Sequence, residues 1–273
     1  KLKVSAGYTY DSRKQDQFNN SNTRYGGPTS TDKVNAQVTR QERLTWLNEN
    51  TLTYQTNIKK KHFLNVLGGI TFQNSDYEIY SFRTTHIPNE SLGMAGMSEG
   101  QAGTTTSAKS SWAMLSYLGR VTYNYMSKYY ATVSFRADGS SKFARGNRWG
   151  YFPSGSLAWA FARESFIAEN ASWLSNGKLR FSYGQTGNNR IGNYDYMAHL
   201  ITDDDLYKYP WNGQFVPGYV LSSMQNEKLK WETTEQWNAG LDLGFFDERI
   251  GITMDIYRKT TRDLLLDASL PFS

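Results

Sequence analysis

The chain has 273 residues, enough for one large β domain or two small domains. Aromatic residues make up 15% of it, including 19 Tyr and 8 Trp, and its mean hydropathy of −0.64 excludes a helical membrane protein, which needs stretches of roughly 18 or more apolar residues. The net charge of +5 is mild, and the lack of cysteine excludes disulfide and thiolate chemistry.

Taken in chain order, the sequence contains nine segments in which apolar and polar residues alternate. In segment 129–138, Val133 and Phe135 fall on one side, and Thr132 and Arg136 fall on the other. Alternation with a period of two predicts strands that have one apolar and one polar face. The nine predicted strands are about 1–11, 42–58, 62–77, 112–126, 129–138, 150–161, 177–187, 229–246 and 249–264.

One segment, 163–175, has the spacing of a helix, because Phe166, Ile167 and Leu174 would share a face. Two roles are open for this predicted helix. It could contact partners at a membrane surface, or it could pack as a short decoration under the strands. We favour the second role.

The lengths of the connections distinguish between β architectures. Every long connection falls at one edge of the predicted sheet and every tight one at the other, which is typical of an outer-membrane barrel with short periplasmic turns and long extracellular loops. A soluble β-sandwich would show the same alternation, so this asymmetry and the surplus of aromatic residues favour the barrel. The tight or moderate links are 59–61, 127–128, 162–176 and 247–248, and the links on the other side are 12–41, 78–111, 140–149 and 188–228.

The sequence shows no recognisable catalytic chemistry. It has neither a G-x-S-x-G elbow nor a phosphate-binding glycine loop, and its three histidines are isolated, so we expect no enzyme, no metal site and no cofactor. Asp203–Asp205 lacks the spacing of a calcium loop and is better explained as a solvated acidic loop. Lys59–Lys61 is the densest basic cluster, and it has no accompanying nucleic-acid motif, so we expect no nucleic-acid partner.

Four runs in the second half of the chain form a specific set. In this order they resemble the barrel signatures of the SusC/RagA family, TonB-dependent outer-membrane transporters of Bacteroidetes. The resemblance covers the chain from about residue 112 onward, and residues 1–111 match less distinctively. The runs are Asp138–Phe143 (DGSSKF), Tyr151–Ser154 (YFPS), Lys178–Asn188 (KLRFSYGQTGN) and Leu229–Thr234 (LKWETT), followed by Gly240–Asp242 and Thr260–Asp263.

The resemblance implies an all-β fold, a transmembrane antiparallel β-barrel segment that supplies about nine strands of a 22-stranded barrel. Such barrels stand in the outer membrane of Gram-negative bacteria, in contact with its lipid. A plug domain fills them and contacts the TonB complex, and a SusD-like surface lipoprotein closes the mouth. They import oligosaccharides or peptides. Residues 1–273 would be a partial barrel domain, and we expect the plug, the TonB box and the last strand of the barrel to lie outside this internal piece of a longer protein.

Two groups of residues are candidates for a functional site. In a barrel, the polar strand faces would point into the lumen, where Arg136 and Asp138 could pair. The long connection 188–228 carries clustered aromatic residues near Asp203–Asp205, and aromatic faces stack on sugar rings or peptide side chains. These rings could instead pack the loop against itself or against a lid. The candidates are Arg120, Arg136, Asp138 and Arg180 for the lumen, and Tyr207, Tyr209, Trp211 and Phe215 for substrate.

Three functions are therefore compatible with the sequence. The first is a segment of a nutrient importer of the outer membrane. The second is a barrel of the same kind that does not transport and serves adhesion or as a scaffold for surface complexes. The third is a soluble all-β module that binds carbohydrate. A plug and a TonB box would belong to the importer and to neither alternative.

Overall fold

The computed structural model describes residues 1–202 and 208–266, and most of these residues lie in β-strands. Nine of the strands form one antiparallel sheet whose spatial order is the order of the chain. Each strand of this sheet therefore pairs with the strands of the same sheet that precede and follow it along the chain. The nine strands are β1 (Leu2–Asn19), β2 (Asn35–Ile58), β3 (His62–Thr85), β4 (Gln101–Tyr125), β5 (Tyr129–Ser140), β6 (Trp149–Trp159), β7 (Leu174–Asn188), β12 (Glu232–Phe245) and β13 (Ile250–Arg262).

Four shorter strands lie in the connection between β7 and β12. They form two separate two-stranded hairpins, in which β9 pairs with β10 and β8 pairs with β11. Their bounds are β8 (His199–Ile201), β9 (Lys208–Trp211), β10 (Gln214–Pro217) and β11 (Val220–Ser223). The remaining described elements are 3₁₀ segments at Glu90–Glu99, Arg145–Asn147 and Phe161–Arg163 and the short helix α1 (Ser165–Ala168).

The nine predicted strands are confirmed, and the main difference is their length. Strands β1 to β4 continue well into segments that the sequence placed in loops, such as 12–19 and 101–111. The extensions 12–19 and 101–111 carry mostly polar residues on both faces, so they lack the alternation on which the prediction depended. Backbone hydrogen bonds to neighbouring strands still satisfy them, because a ladder needs no apolar face.

The predicted helix 163–175 is wrong in extent, because α1 has only four residues. Two contacts to β12 follow it in the chain. The ring of Trp173 stacks on Phe245 with centroids 5.8 Å apart, and Leu174 already pairs with Phe245 as the first residue of β7. Strand pairing thus overrides the helical spacing of Leu174 with Phe166 and Ile167.

By its internal contacts the chain divides into two compact units. Unit 1 comprises Lys1–Ser5, Glu49–Phe72 and the described part of Met114–Ser273, and unit 2 comprises Ala6–Asn48 and Gln73–Ala113.

In unit 2, the connections between β1 and β2 and between β3 and β4 are joined to each other. The Glu90 carboxylate accepts hydrogen bonds from the backbone N–H of Ser21 at 2.8 Å and from its hydroxyl at 3.0 Å. These bonds favour the ionised carboxylate, so they lower the pKa of Glu90. Arg83 also forms an ion pair with Asp32. Both long connections are therefore held by specific contacts.

In unit 1, Glu164 joins the link between β6 and β7 to the strands beside it. Its carboxylate accepts hydrogen bonds from Lys128 Nζ at 2.8 Å, from the Tyr129 hydroxyl at 2.6 Å and from Trp159 Nε1 at 3.1 Å. Because all three donors favour the ionised form, they lower the pKa of Glu164 to about 2. The carboxylate is buried in this position, so the link is tied closely to β5 and β6.

Candidate functional site

One face of the sheet in unit 1 is apolar and uncovered. Along the strand register Ala131 pairs with Leu157, and Leu157 pairs with Phe181. The side chains of Val133 and Leu157 are 64% and 62% exposed, respectively. An apolar surface of this continuity is unusual on a soluble monomer and marks contact with lipid or protein.

Two bands of aromatic residues border this apolar face. At the end with the tight links, the ring of Tyr125 stacks on Tyr129 with centroids 6.3 Å apart. Toward the other end, Tyr117 stacks on Trp149 at 5.9 Å, and Phe135 stacks on Tyr151 at 6.1 Å. Along β5, the eight residue steps from Tyr129 to Ala137, the register partner of Tyr117 and Tyr151, correspond to ~26 Å at roughly 3.3 Å per residue.

The opposite face carries the polar residues, and Arg180 lies at the centre of a network there. Its Nε donates to Asp242 at 2.7 Å and its Nη2 donates to the second oxygen of that carboxylate at 2.9 Å. The same Nη2 reaches Asp255 on β13 at 3.3 Å. Arg180, Gly240 and Asp255 occupy one cross-strand row, so the guanidinium crosses the glycine to reach the second carboxylate.

A second ion pair joins Arg136 to Asp138 on the same polar face. Arg136 Nε donates to both carboxylate oxygens at 2.7 and 2.8 Å, and Nη2 donates to the buried hydroxyl of Ser116 at 3.2 Å. The expected pairing of these two residues is therefore present in the structure. Arg120 lies on this face too, at the start of a row that runs across six strands. The row is Arg120, Ser134, Ser154, Gly184, Gln236 and Lys259.

The sequence runs that carry the family resemblance converge on one aromatic cluster, which we did not predict. Phe143, Phe152 and Trp231 are buried together, with both phenyl centroids 5.5 Å from the Trp231 ring. Gly187 lies directly against the Phe152 ring, where any side chain would collide with it. Four distant runs thus supply one small core, and this gives their residues a structural role. In the sequence, the glycine of the QTGN run was the feature that could have indicated this cluster.

The hairpin of β9 and β10 separates the predicted aromatic contacts. Tyr209 pairs with Val216, and Trp211 pairs with Gln214, so the two rings lie on one face. Phe215 pairs with Pro210 and lies on the other face. Trp211 and Phe215 are 69% and 73% exposed. Tyr207 and Asp203–Asp205 lie outside the described residues.

Two further searches concern the described residues only. Within 1–202 and 208–266, His, Asp and Glu side chains form no group that could hold a metal ion. No helix in those ranges is long and apolar enough to cross a membrane.

The family model described as TonB dependent receptor-like, beta-barrel matches residues 1–273. The chain belongs to this family of TonB-dependent receptor barrels. TonB-dependent receptor P3 of Formosa agariphila is 36% identical over 234 residues, which cover 82% of this chain and 22% of that protein. TonB-dependent receptor SusC of Bacteroides thetaiotaomicron is 39% identical over 161 residues, covering 58% of this chain and 16% of that protein.

Solved structures agree with this family of TonB-dependent receptor barrels. The structure of the RagAB peptide transporter superimposes with a TM-score of 0.84 and 27% identity, covering 99% of this chain and 29% of the matched chain. The nine-stranded sheet is therefore a fragment of such a barrel. The chain spans between 16% and 26% of the length of the curated relatives that it matches.

Proposed function

We propose that this chain forms part of the wall of an active importer in the outer membrane of a Gram-negative bacterium. The observation that carries the proposal is the uncovered apolar face with its two aromatic bands. Membrane barrels have an apolar band ~25 Å tall between aromatic girdles, and tilt shortens the ~26 Å along β5 to roughly 20 Å across the membrane. The apolar face would contact lipid, and the polar face would line the lumen.

In this arrangement, Arg120, Arg136, Asp138 and Arg180 face the passage through the barrel. Ion pairs join Arg136 to Asp138 and Arg180 to Asp242. Such pairs neutralise charges that line a wet interior, where lipid cannot neutralise them. We assign these pairs to the rigidity of the wall. Similarity to TonB-dependent receptors supports a role in transport and not in catalysis.

The extracellular connection between β7 and β12 is the proposed place of substrate contact. Tyr209 and Trp211 lie on one face of a hairpin, about 7 Å apart as next-but-one residues of a strand. Two adjacent rings can stack on successive sugars or peptide side chains. Phe215 would serve a contact on the opposite face, with substrate or with a lid. Tyr207 remains a candidate contact outside the described residues.

The proposed cargo is an oligosaccharide or a peptide. Similarity to SusC and to the RagAB peptide transporter supports a nutrient in this size class. By the same similarity, a SusD-like lipoprotein would close the extracellular side. The TonB complex would supply energy through a plug domain that is not in this chain.

Deletion of the gene for the full-length protein in its own bacterium tests the proposal. The protein should be recovered from detergent extracts of outer membranes, and the deletion should reduce accumulation of at least one labelled oligosaccharide or peptide fraction. Complementation with the intact gene should restore it. Unchanged uptake of every fraction would favour a scaffold, and recovery of the protein in a detergent-free soluble fraction would contradict the membrane placement.

A further inference from the structure

A groove of about 370 Å³ lies on the apolar face of unit 1, toward the end with the tight links. Ala131 presents only a methyl group there, between its larger register partners Tyr123 and Leu157. Trp159 and Phe181 also line the groove, and almost all of the lining surface is apolar. The small side chain of Ala131 therefore leaves a depression in a face that is otherwise covered by large side chains.

The walls of this groove are complete within the chain. They belong to β4, β5, β6 and β7, and each of these strands has a neighbouring strand on both sides. The groove also lies on the face opposite the polar residues, so a plug in the lumen would lie on the other side of the sheet. In the proposed placement, the environment of the groove is the lipid around the barrel.

Three wall residues direct polar atoms toward the rim of the groove. The hydroxyl of Tyr129 and Nε1 of Trp159 donate to the carboxylate of Glu164 at 2.6 and 3.1 Å. On the other side of the rim, the Tyr123 hydroxyl is 2.7 Å from Nδ1 of His62. Aromatic residues with one apolar and one polar end mark the depth at which a bilayer passes from acyl chains to headgroups.

Two exposed cations flank this rim and approach the same turn. Arg163, which precedes the carboxylate of the rim, donates from Nη1 to the backbone carbonyl of Ser127 at 3.1 Å. Lys61, which precedes the histidine of the rim, accepts a hydrogen bond at its backbone carbonyl from the N–H of Met126 at 2.7 Å. Ser127 and Met126 are adjacent residues of the turn between β4 and β5, so one headgroup could reach both cations.

The charges of these two cations are not compensated. Neither Arg163 nor Lys61 forms an ion pair within residues 1–202 and 208–266. The nearby carboxylate of Glu164 is already paired with Lys128 at 2.8 Å. The three links 59–61, 126–128 and 160–173 together carry five cations and two carboxylates, so this end of the groove favours an anion.

We propose that the groove binds one anionic phospholipid of the periplasmic leaflet. An acyl chain would lie over Ala131, where it buries apolar surface that is otherwise uncovered. The phosphate would lie at the rim, where the guanidinium of Arg163 and the ammonium of Lys61 can bind it. The proposal rests on the proposed placement of the chain in the outer membrane, and it does not depend on what the barrel transports.

Native mass spectrometry of the purified full-length receptor, released from detergent, tests this proposal. The two probes are dioleoylphosphatidylglycerol and dioleoylphosphatidylethanolamine, which have the same acyl chains and differ in headgroup charge. One phosphatidylglycerol molecule should remain bound, with an affinity about fivefold higher than that of phosphatidylethanolamine. Equal binding of the two lipids would reduce the groove to ordinary contact with bulk lipid. A receptor dimer without bound lipid would show that a second copy covers it. Either result would overturn the proposal.

Two arginine variants locate the headgroup. Arg163→Gln should weaken the binding of phosphatidylglycerol about fivefold and change that of phosphatidylethanolamine little. Arg249→Gln is the matched control, because Arg249 is exposed on the link between β12 and β13 and is not part of the groove. Equal loss in the two variants would mean that the headgroup responds only to the overall charge of the protein, which would overturn the site.

Two further variants locate the acyl chain. Ala131→Leu should fill the groove and weaken the binding of both lipids, whereas Val133→Leu on the same apolar face should not. Full binding by Ala131→Leu would overturn the placement of the chain. Semi-native electrophoresis establishes that each variant is folded before its lipid binding is compared. None of these results would alter the uptake loss expected from gene deletion, so the two proposals fail separately.

Discussion

Arg180 on β7 and Asp255 on β13 are joined across the strand that lies between them, at 3.3 Å over the bare backbone of Gly240. A Cβ at position 240 would lie 2.5 Å from Asp255 Oδ1 and 2.7 Å from Arg180 Nη2. The glycine therefore allows one arginine to connect three strands. The two carboxylates that it contacts differ in geometry, and this difference gives the first prediction.

Asp242→Asn should destabilise the sheet more than Asp255→Asn. Asp242 receives two hydrogen bonds from Arg180 at 2.7 and 2.9 Å, whereas Asp255 receives a longer one. We expect Asp242→Asn to lower the free energy of unfolding by about 1–3 kcal/mol. Asp255→Asn should lower it by under ~1 kcal/mol, because the Asp255 side chain is partly exposed. The temperature at which the folded band disappears in semi-native electrophoresis measures the order, and a larger effect at Asp255 would contradict it.

Gly187→Ala should displace Phe152 from the aromatic cluster. The added methyl group would occupy the position of the Phe152 ring, and overpacking of this kind costs typically 1–3 kcal/mol. The control is Gly119→Ala, because a Cβ there meets nothing within 4 Å. Thermal denaturation of the two full-length variants should show a lower midpoint for Gly187→Ala only. Equal midpoints would mean that the cluster adapts without loss.

The stabilisation that Glu164 provides should depend on pH in one direction. Its pKa in the folded protein is about 2, below the ordinary value of 4.5, so the unfolded chain takes up the proton first as the pH falls. The contribution is therefore complete above about pH 4.5 and is lost as the pH falls toward 2. Glu164→Gln should be less stable than the wild type at pH 7, and the difference should shrink steadily below pH 4.5.

Glu169→Gln is the control for this pH series, because Glu169 is exposed on the same link. It should match the wild type throughout the range. A difference in stability between Glu164→Gln and the wild type that stays constant down to pH 2 would contradict the prediction. It would show that the stabilisation by the three hydrogen bonds does not depend on the charge of the Glu164 carboxylate.

The nine strands and their tight links were predictable from the sequence because alternation and the length of a connection are local properties. The aromatic cluster was not, since Phe143 and Trp231 come from connections far apart in the chain and meet only when β5, β6, β7 and β12 have paired. The separation of Phe215 from Trp211 depends on where the hairpin turns. Asn212 and Gly213 both have positive φ there, and Asn-Gly is the usual sequence of such a turn.

The ion pair of Arg136 with Asp138 was accessible for the same local reason, because next-but-one residues of a strand share a face. The network of Arg180 was not, because Asp242 and Asp255 become its neighbours only through the register of three strands. The clusters that depend on strand register are therefore the part of the site that could not be predicted from the sequence.

The two faces of the sheet should respond differently to a new charge. Val133→Arg and Leu241→Arg place a cation on the apolar face, where the cost near the middle of a bilayer is roughly 2–4 kcal/mol. Thr132→Arg and Asn238→Arg place it on the polar face of the same strands, where water can solvate it. The amount of folded protein in outer membranes should fall for the first pair and change little for the second. Similar losses in both pairs would mean that the apolar face does not contact lipid.

Labelling of single cysteines on intact cells tests the central claim most directly, namely that the long connections lie outside the cell and the tight ones in the periplasm. The chain has no cysteine of its own, and the two positions are matched, because Asn212 and Lys60 both lie in tight turns with φ of 50° and 54°. A membrane-impermeant maleimide should label Asn212→Cys and should label Lys60→Cys only after the outer membrane is permeabilised. Labelling of Lys60→Cys but not Asn212→Cys on intact cells would contradict the proposed topology.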